Sequence, residues 1–286
     1  MKSNLLPALL ARSLVLVALA SMAGCATTMD ESAGNALLQK VNSNDKEALN
    51  LLRSRAEKGD AVAQERLGMV YLQGQGIDKD AAIAADWLRK SAQQGYARAQ
   101  YVLAYLYELG YGVDKDTQQA VKWYAMAAEQ NDAPSAYALG LLYSDGKSLP
   151  KNREFAEKWY LKAADLGVPE AQLNLGVLYL KPDPDQTPQY DKALPWIMKA
   201  AAKGNAKAML NLAGMYEFGT GVPQSDAEAL SWYRKAADAG DWMAMGSISQ
   251  AYRDGKLGLP KDSALADEWY KKFLETQIAL KKAGKQ

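Results

Sequence analysis

The sequence has no histidine and only one cysteine among its 286 residues, and its formal net charge is +1. Without histidine it lacks the commonest general base and the commonest transition-metal ligand. A single cysteine cannot form an intrachain disulfide or a zinc cluster. A nearly neutral chain also lacks the basic face typical of nucleic-acid binders. These absences predict a non-catalytic protein with no metal, no other cofactor and no nucleic-acid partner.

The amino terminus has the features of an export signal. A short apolar run at 14–20 follows two basic residues, and it is too short to span a bilayer. Small residues then precede Cys25, and this segment resembles the lipobox of bacterial lipoproteins, with Met22 where a leucine is usual. The resemblance implies cleavage before Cys25 and acylation of its thiol. The alternative is an ordinary signal-peptide cut after Ala20.

The lipobox resemblance implies a signal peptide at 1–24 and a lipidated Cys25. The segment 25–46 is small and polar at both ends, which predicts a flexible tether with one or two helical turns at AGNALLQKV. The residue after the cysteine is Ala26, which does not resemble the aspartate that retains lipoproteins in the inner membrane. The resemblance therefore implies a lipid anchor in the outer membrane, on its periplasmic side.

The rest of the sequence is an internal repeat. Tryptophan recurs at intervals of 36, 36, 37, 36 and 37 residues, and leucine or isoleucine, tyrosine and alanine keep the same register. Six of the seven tryptophans keep this register, namely Trp87, Trp123, Trp159, Trp196, Trp232 and Trp269. Such a stripe is typical of a packed core, so we expect these rings to be buried.

The pattern predicts two helices in each copy. Ala63, Leu67 and Tyr71 follow one helical face of the first helix, and a small residue such as Gly68 lets another helix approach closely. The predicted N-caps of the second helices are Asp80, Asp116, Asn152, Gln189, Ser225 and Asp262. The predicted left-handed C-terminal positions are Gly95, Asn131, Gly167, Gly204 and Gly240.

A Gly-x-Gly turn joins the two helices in several copies, as in GTGVPQSD at 219–226. Glycine-rich loops before helices can cradle phosphate. However, this one lies between two helices, and neither a third glycine nor a P-loop lysine follows it. The pattern favours a tight turn with positive φ over a nucleotide site.

The segments AVAQERLGMVYLQGQGIDKDAAIAADWLRKSAQQG and AKAMLNLAGMYEFGTGVPQSDAEALSWYRKAADAG carry the repeat most fully. They closely resemble the Sel-one-like repeat family, a branch of the tetratricopeptide-type helical repeats. The resemblance implies an all-α fold, a right-handed α/α solenoid of six helix-turn-helix repeats at 61–274. A capping helix at 47–60 is expected before the repeats, with a helical tail at 275–286 after them and a monomeric state.

Two segments depart from the family pattern. In repeat four KPDPDQTP, at 181–188, replaces the Gly-x-Gly turn, and its prolines predict a rigid protruding loop. Asp183 and Asp185 suggest a cation site there, but solvated carboxylates are the favoured interpretation. Trp242 replaces an alanine found in most copies, as either a local staple or a second contact point.

The first helices of tetratricopeptide-type arrays line a concave face, where residues need not recur. Counting along the repeat places Glu65 there, and also the residues predicted to bind a partner. The latter are Arg98, Tyr101, Tyr105, Glu108, Tyr137, Leu173 and Phe218. Tyrosine and arginine are common hot-spot residues. The alternative is that some of the tyrosines pack between helices.

Three functions fit the family resemblance. The first is a scaffold that binds a protein or peptide segment in its groove, in the context of cell-envelope assembly. The second is an immunity protein that neutralises a secreted antibacterial lipase. The third is an envelope hydrolase. It is disfavoured because the sequence has no histidine, no S-x-x-K followed by S-D-N and no G-x-S-x-G motif.

Overall fold

A computed structural model describes residues 29–181 and 187–283. The predicted signal peptide, Cys25, both loop aspartates and the last three residues lie outside this part of the chain. The described residues form helices without a strand, in the order α1 Glu31–Asn42, α2 Lys46–Glu57, α3 Ala61–Gln73, α4 Ala81–Gln93, α5 Ala97–Leu109, α6 Thr117–Glu129, α7 Ala133–Asp145, α8 Arg153–Asp165, α9 Pro169–Leu180, α10 Tyr190–Ala202, α11 Ala206–Phe218, α12 Asp226–Asp238, α13 Trp242–Asp254 and α14 Ser263–Lys282.

The helices divide into two compact units. Of the described residues, 29–99 and Tyr111–Val113 form the first unit, and Gln100–Gly110, 114–181 and 187–283 form the second. Within each unit a first helix pairs with a second helix, which packs against the first helix of the next repeat. This is the arrangement of an α/α solenoid, so the predicted all-α fold class is confirmed.

All six predicted N-cap positions immediately precede their second helices, and five of them make the capping hydrogen bond. The side chains of Asp80, Asp116, Asn152, Ser225 and Asp262 each accept a hydrogen bond from a backbone N–H of the first turn. Gln189 makes no such bond, because its longer side chain does not favour the N-cap geometry. At the other end, all five predicted left-handed residues have positive φ, from 67° at Asn131 to 91° at Gly167.

The Gly-x-Gly turns bring neighbouring repeats into contact. Gly112, with φ of 73°, lies directly against the backbone of Ala81, the first residue of α4. Gly221 repeats this relationship in the second unit, where an added Cβ would lie 2.6 Å from Cβ of Tyr190, the first residue of α10. The glycines therefore permit both the turn and the close approach, as the sequence indicated.

The tryptophan stripe is less buried than predicted. Only Trp123 and Trp159 are buried, each 7% exposed, and the other four rings are half-buried. Lysine ammonium groups cover several of these rings, for example Lys235 at 3.8 Å from the Trp232 centroid. A lysine stem shields an aromatic face while its charged end stays in water, so such a ring need not enter the core.

The residue after each tryptophan makes the deeper contact in the first five repeats. Leu88, Tyr124, Tyr160, Ile197 and Tyr233 are all buried. They face the small residues of the first helices. For example, an added Cβ on Gly176 would lie 2.6 Å from Cγ1 of Ile197. The predicted close approach at the small residues is therefore correct.

The amino-terminal segment is a packed helix where a flexible tether was predicted. Asp30 caps α1 by accepting a hydrogen bond from the Ala33 N–H. The backbone N–H of Met29 donates to Asp60 at 2.6 Å, and Met29 and Val41 are buried in the first unit's core. The segment is small and polar at both ends, so its composition did not indicate the apolar stripe of α1 that packs on the first repeat.

Trp242 is half-buried and acts as a local staple. Its ring lies 5.3 Å from that of Phe273, and Phe273 stacks on Tyr270 at 5.5 Å. The aromatic cluster joins the extended last helix α14 to α13, which favours the packing interpretation of Trp242.

Candidate functional site

Helix α9 borders two cavities of the second unit. Glu170, Asn174, Val177 and Lys181 recur along α9 and its C-cap at intervals of four, three and four residues, which places them on one side of the helix. The two cavities lie along this stripe, and Asn174 lines both of them. We call these two cavities, with the walls described below, the α9 groove.

The larger cavity, at the carboxyl end of α9, has a volume of about 580 Å³. Its aromatic and basic walls are formed by Tyr143, Tyr160, Lys151, Arg153 and Lys181. Arg153 is committed to the helix end, because its guanidinium donates to the carbonyl oxygens of Leu178 and Lys181 at 2.5 and 2.9 Å. Lys151 and Lys181 therefore give this end of the groove its positive charge.

The smaller cavity, at the amino end of α9, has a volume of about 420 Å³. Glu170 and Lys207 give it charges of both signs, and Tyr137 forms part of its wall. The Asn174 amide donates to the Tyr137 hydroxyl at 3.4 Å. Burial and the nearby Glu170 carboxylate raise the pKa of Tyr137, so this phenol remains neutral at physiological pH.

The structure brings together Tyr101, Tyr105 and Glu108 of the predicted contact residues. Tyr101 packs against Tyr124 with ring centroids 5.8 Å apart, and the Tyr124 hydroxyl donates to Glu108 at 2.8 Å. Burial, reinforced by Glu108, raises the pKa of Tyr124. Tyr101 is half-buried by this packing, while Tyr105 is 47% exposed and offers the larger free surface.

Arg98 lies in the first unit and already has a carboxylate partner. Its Nε is 3.1 Å from Oε1 of Glu65, which is fully buried, so placing Glu65 on an open concave face was wrong. Arg66 also pairs with Glu65, and its Nη2 donates to the Asn35 side chain of α1 at 2.8 Å. Burial raises the pKa of the Glu65 carboxyl against the lowering effect of both guanidinium groups.

The last two predicted contact residues have opposite environments. Leu173 is only 7% exposed and forms part of the wall of the smaller cavity. Phe218 is 71% exposed and borders a separate cavity of about 270 Å³ beside Tyr233. The Tyr233 hydroxyl donates to Glu217 at 2.5 Å, which fixes the wall next to Phe218.

The part of the chain that the structure describes contains no cluster of three or more potential metal ligands. Over the same residues, no helix has the length and apolar character needed to cross a membrane.

Stacked pairs of short helices with a side-chain-lined groove define a helical-repeat protein. The Sel1 repeat model matches residues 61–96, 97–132, 133–168, 169–205, 206–241 and 243–275. The chain therefore belongs to the Sel1 repeat family, which is typically a family of non-catalytic scaffolds that mediate protein interactions.

Solved structures of this family are similar to the chain. A Sel1 repeat protein from Oxalobacter formigenes is 32% identical, covering 86% of this chain and 97% of its own, with a TM-score of 0.70. A protective antigen present in uropathogenic Escherichia coli strains, which displays an SLR fold, is 28% identical, covering 86% of this chain and 62% of its own, with a TM-score of 0.64.

An immunity protein from Pseudomonas aeruginosa is more distant. It is 22% identical, covering 76% of this chain and 82% of its own, with a TM-score of 0.46. No curated protein matches the chain.

Proposed function

We propose that the protein is a non-catalytic scaffold that binds a segment of a partner protein along its first helices. The α9 groove is the observation that carries this proposal. It combines two cavities that share Asn174 in their walls with apolar side chains, polar hydrogen-bonding groups and fixed charges, which are the components of a specific protein-binding surface.

The surface of the groove differs from the parts of the repeat that recur. Alanines such as Ala163 and Ala171 are fully buried between helices, where they preserve stacking. Asn174, by contrast, is a half-exposed amide at a position that varies among the repeats. The other five repeats have Arg66, Val102, Ala138, Asn211 and Ser247 there. Residues that are not needed for stacking are free to suit one partner, so their variation supports recognition rather than structure.

The proposal includes the location of the scaffold. The export signal and Cys25 support a lipid anchor on the periplasmic face of the outer membrane, with a role in cell-envelope assembly. A protein held there by a lipid would present its groove to periplasmic segments of envelope proteins.

Site-specific photo-crosslinking in living cells tests the binding surface. A photoreactive residue replaces Asn174 in the groove, and a control replaces Met198, which is 46% exposed on the second helix of the same repeat. We expect one discrete adduct from position 174 and none from 198, with the partner identified by mass spectrometry. Equal labelling from both positions, or none from 174, would contradict the proposal.

A further inference from the structure

Helix α14 exposes a position that the other second helices of the second unit bury. Helices α6, α8, α10 and α12 are each packed against the first helix of the next repeat. The fifth residue after the tryptophan is an alanine in all four of them, and it is at most 4% exposed, the value at Ala237. The same position of α14 is Leu274, which is 37% exposed. A larger apolar side chain is therefore open to solvent where a neighbouring helix covers the alanines.

Two further apolar side chains of α14 are exposed beside Leu274. Tyr233 of α12 is 5% exposed, whereas Tyr270 at the same position of α14 is 44% exposed. Helix α12 is followed by Gly240 with positive φ, but α14 continues through the equivalent Gln277 to Lys282. This extension adds Ile278, which is 52% exposed. An array of repeats needs a polar outer face where its stacking ends, so these exposed apolar residues indicate a binding surface.

The residues on this side of α14 are arranged symmetrically about Leu274. Their intervals of three, four, four and three residues place them on one side of the helix. We call them the α14 face, which consists of Asp267, Tyr270, Leu274, Ile278 and Lys281. A different side of α14 packs on α13, where the Thr276 hydroxyl donates to the Met245 sulfur at 3.5 Å.

The α14 face is complementary to a reversed copy of itself. When two such helices run antiparallel and meet at Leu274, residues equally far from Leu274 in opposite directions lie opposite one another. Tyr270 of one copy then faces Ile278 of the other. Asp267 faces Lys281 at each end of a contact that is roughly 21 Å long. Apolar residues therefore meet apolar residues, and each terminal charge meets its opposite.

The charges favour the antiparallel orientation over the parallel one. In a parallel pair Asp267 would face Asp267 and Lys281 would face Lys281, and these like charges would repel. Asp267 also pairs with Arg253 of its own chain at 3.5 Å, but its side chain is 77% exposed. A carboxylate has two oxygens that accept several hydrogen bonds, so it can bind Lys281 of a second copy as well.

We propose that the α14 faces of two copies of this chain pack antiparallel and form a two-fold symmetric dimer. Leu274 lies on the symmetry axis, Tyr270 and Ile278 pack on either side of it, and ion pairs between Asp267 and Lys281 lie at both ends. This inference goes beyond the proposed scaffold function. It departs from the monomeric state that the family resemblance implies, and it gives each assembly two α9 grooves.

Disulfide crosslinking of the full chain tests the position of the axis. Cys25→Ser removes the single native thiol, and one new cysteine is then introduced at a time. Leu274→Cys places a thiol beside its own symmetry mate, so an oxidant should join two copies at this position. The matched control is Ala279→Cys, at an exposed residue on another side of α14. Circular dichroism verifies that each variant is folded.

Two positions away from the axis test the direction of the helices. When Tyr270→Cys and Ile278→Cys chains are mixed, the antiparallel dimer should give disulfides between the two variants and few within either one. Lys281→Glu, added to Leu274→Cys, should slow crosslinking by roughly threefold or more, because it replaces two ion pairs with repulsions. Lys272→Glu reverses a charge on another side of α14 and should leave the rate unchanged.

We expect a covalent dimer from position 274, few from 279 and mixed disulfides between positions 270 and 278. Equal crosslinking from 274 and 279, none from 274, or disulfides only within each off-axis variant would overturn the inference. The Cys25→Ser chain is also sedimented with vesicles of anionic phospholipid. If it remains monomeric and binds the vesicles through Lys281, the face contacts a membrane and the inference is wrong. The photo-crosslink from position 174 tests the scaffold function independently of these results.

Discussion

Gly34 of α1 and Val62 of α3 are in contact at a distance that leaves no room for a methyl group, since a Cβ on Gly34 would lie 2.6 Å from Cγ1 of Val62. Gly34→Ala should therefore reduce stability by about 1–2 kcal/mol, because overpacking exceeds the gain in helix propensity. Denaturant unfolding of the full chain measures the effect.

Gly214 provides the matched control, since it is also helical and an added Cβ there meets no atom within 4 Å. Gly214→Ala should raise stability by about 0.5–1 kcal/mol. Val62→Ala should relieve the overpacking in the Gly34→Ala variant. If both glycine substitutions stabilise the chain equally, α1 does not pack on α3 as described.

The uneven burial of the tryptophans predicts uneven stability effects. Trp159→Ala should cost about 3–5 kcal/mol, because the ring is 7% exposed and its removal leaves a cavity. Trp232→Ala should cost less, since that ring is half-buried beneath Lys235. Chemical denaturation of both variants tests the comparison, and equal losses would show that exposure does not distinguish the two sites.

The titration of Tyr96 makes the stability of the first unit depend on pH in the alkaline range. Burial and the hydrogen bond from its hydroxyl to Glu31 raise its pKa to about 12. Because this folded-state pKa exceeds the ordinary value near 10, the neutral phenol favours folding below about pH 10, and this contribution is lost as the pH rises toward 12.

Substitutions at this pair test the coupling. Tyr96→Phe should weaken the decline of the melting temperature between pH 10 and 12 relative to the wild type. Glu31→Gln should weaken it by a smaller amount, because burial, the larger cause of the pKa shift, remains. Parallel declines in all three proteins would contradict the assignment.

Substitutions of Tyr101 and Tyr105, both on α5, should affect stability and partner binding differently. Tyr105→Ala should leave the melting temperature nearly unchanged and weaken partner binding by about 2 kcal/mol if this patch is a hot spot. Tyr101→Ala should lower the melting temperature, because its ring packs on Tyr124. Calorimetric titration with the partner that the crosslinking identifies measures binding, and thermal unfolding measures stability. Unchanged binding of the Tyr105→Ala variant would exclude Tyr105 from the interface.

The anchor prediction depends on Cys25. If its thiol carries the lipid, Cys25→Ser should abolish labelling with a palmitate analogue and release the protein from the membrane fraction. A wild-type protein recovered without detergent and beginning at Ser21 would show the ordinary signal-peptide cut instead.

The sequence predicted the repeat and its helix ends because these features depend on local chemistry. An aspartate at 80 or a glycine at 95 acts through its own turn, and both take the predicted conformations. The prediction failed at α1 and at Glu65, because their burial depends on contacts between segments about 30 residues apart.

The α9 groove was only partly predictable for the same reason. Tyr137 and Leu173 were recognised from the repeat register, whereas Lys151 and Lys181 follow α7 and α9 and join the groove only after the chain folds. The sequence feature that could have indicated the groove is Asn174, a polar residue at a position where the two preceding repeats have Val102 and Ala138.

The contacts of Gly112 with Ala81 and of Gly221 with Tyr190 span the same 31 residues. Each turn thus rests on the first residue of a helix in the preceding repeat. A deletion or duplication of one whole repeat would keep this spacing between these turns and a helix start, whereas a change of half a repeat would set such a turn against a helix end. Array length should therefore vary in whole-repeat steps during evolution, and a groove such as that along α9 can be gained or lost in a single such event.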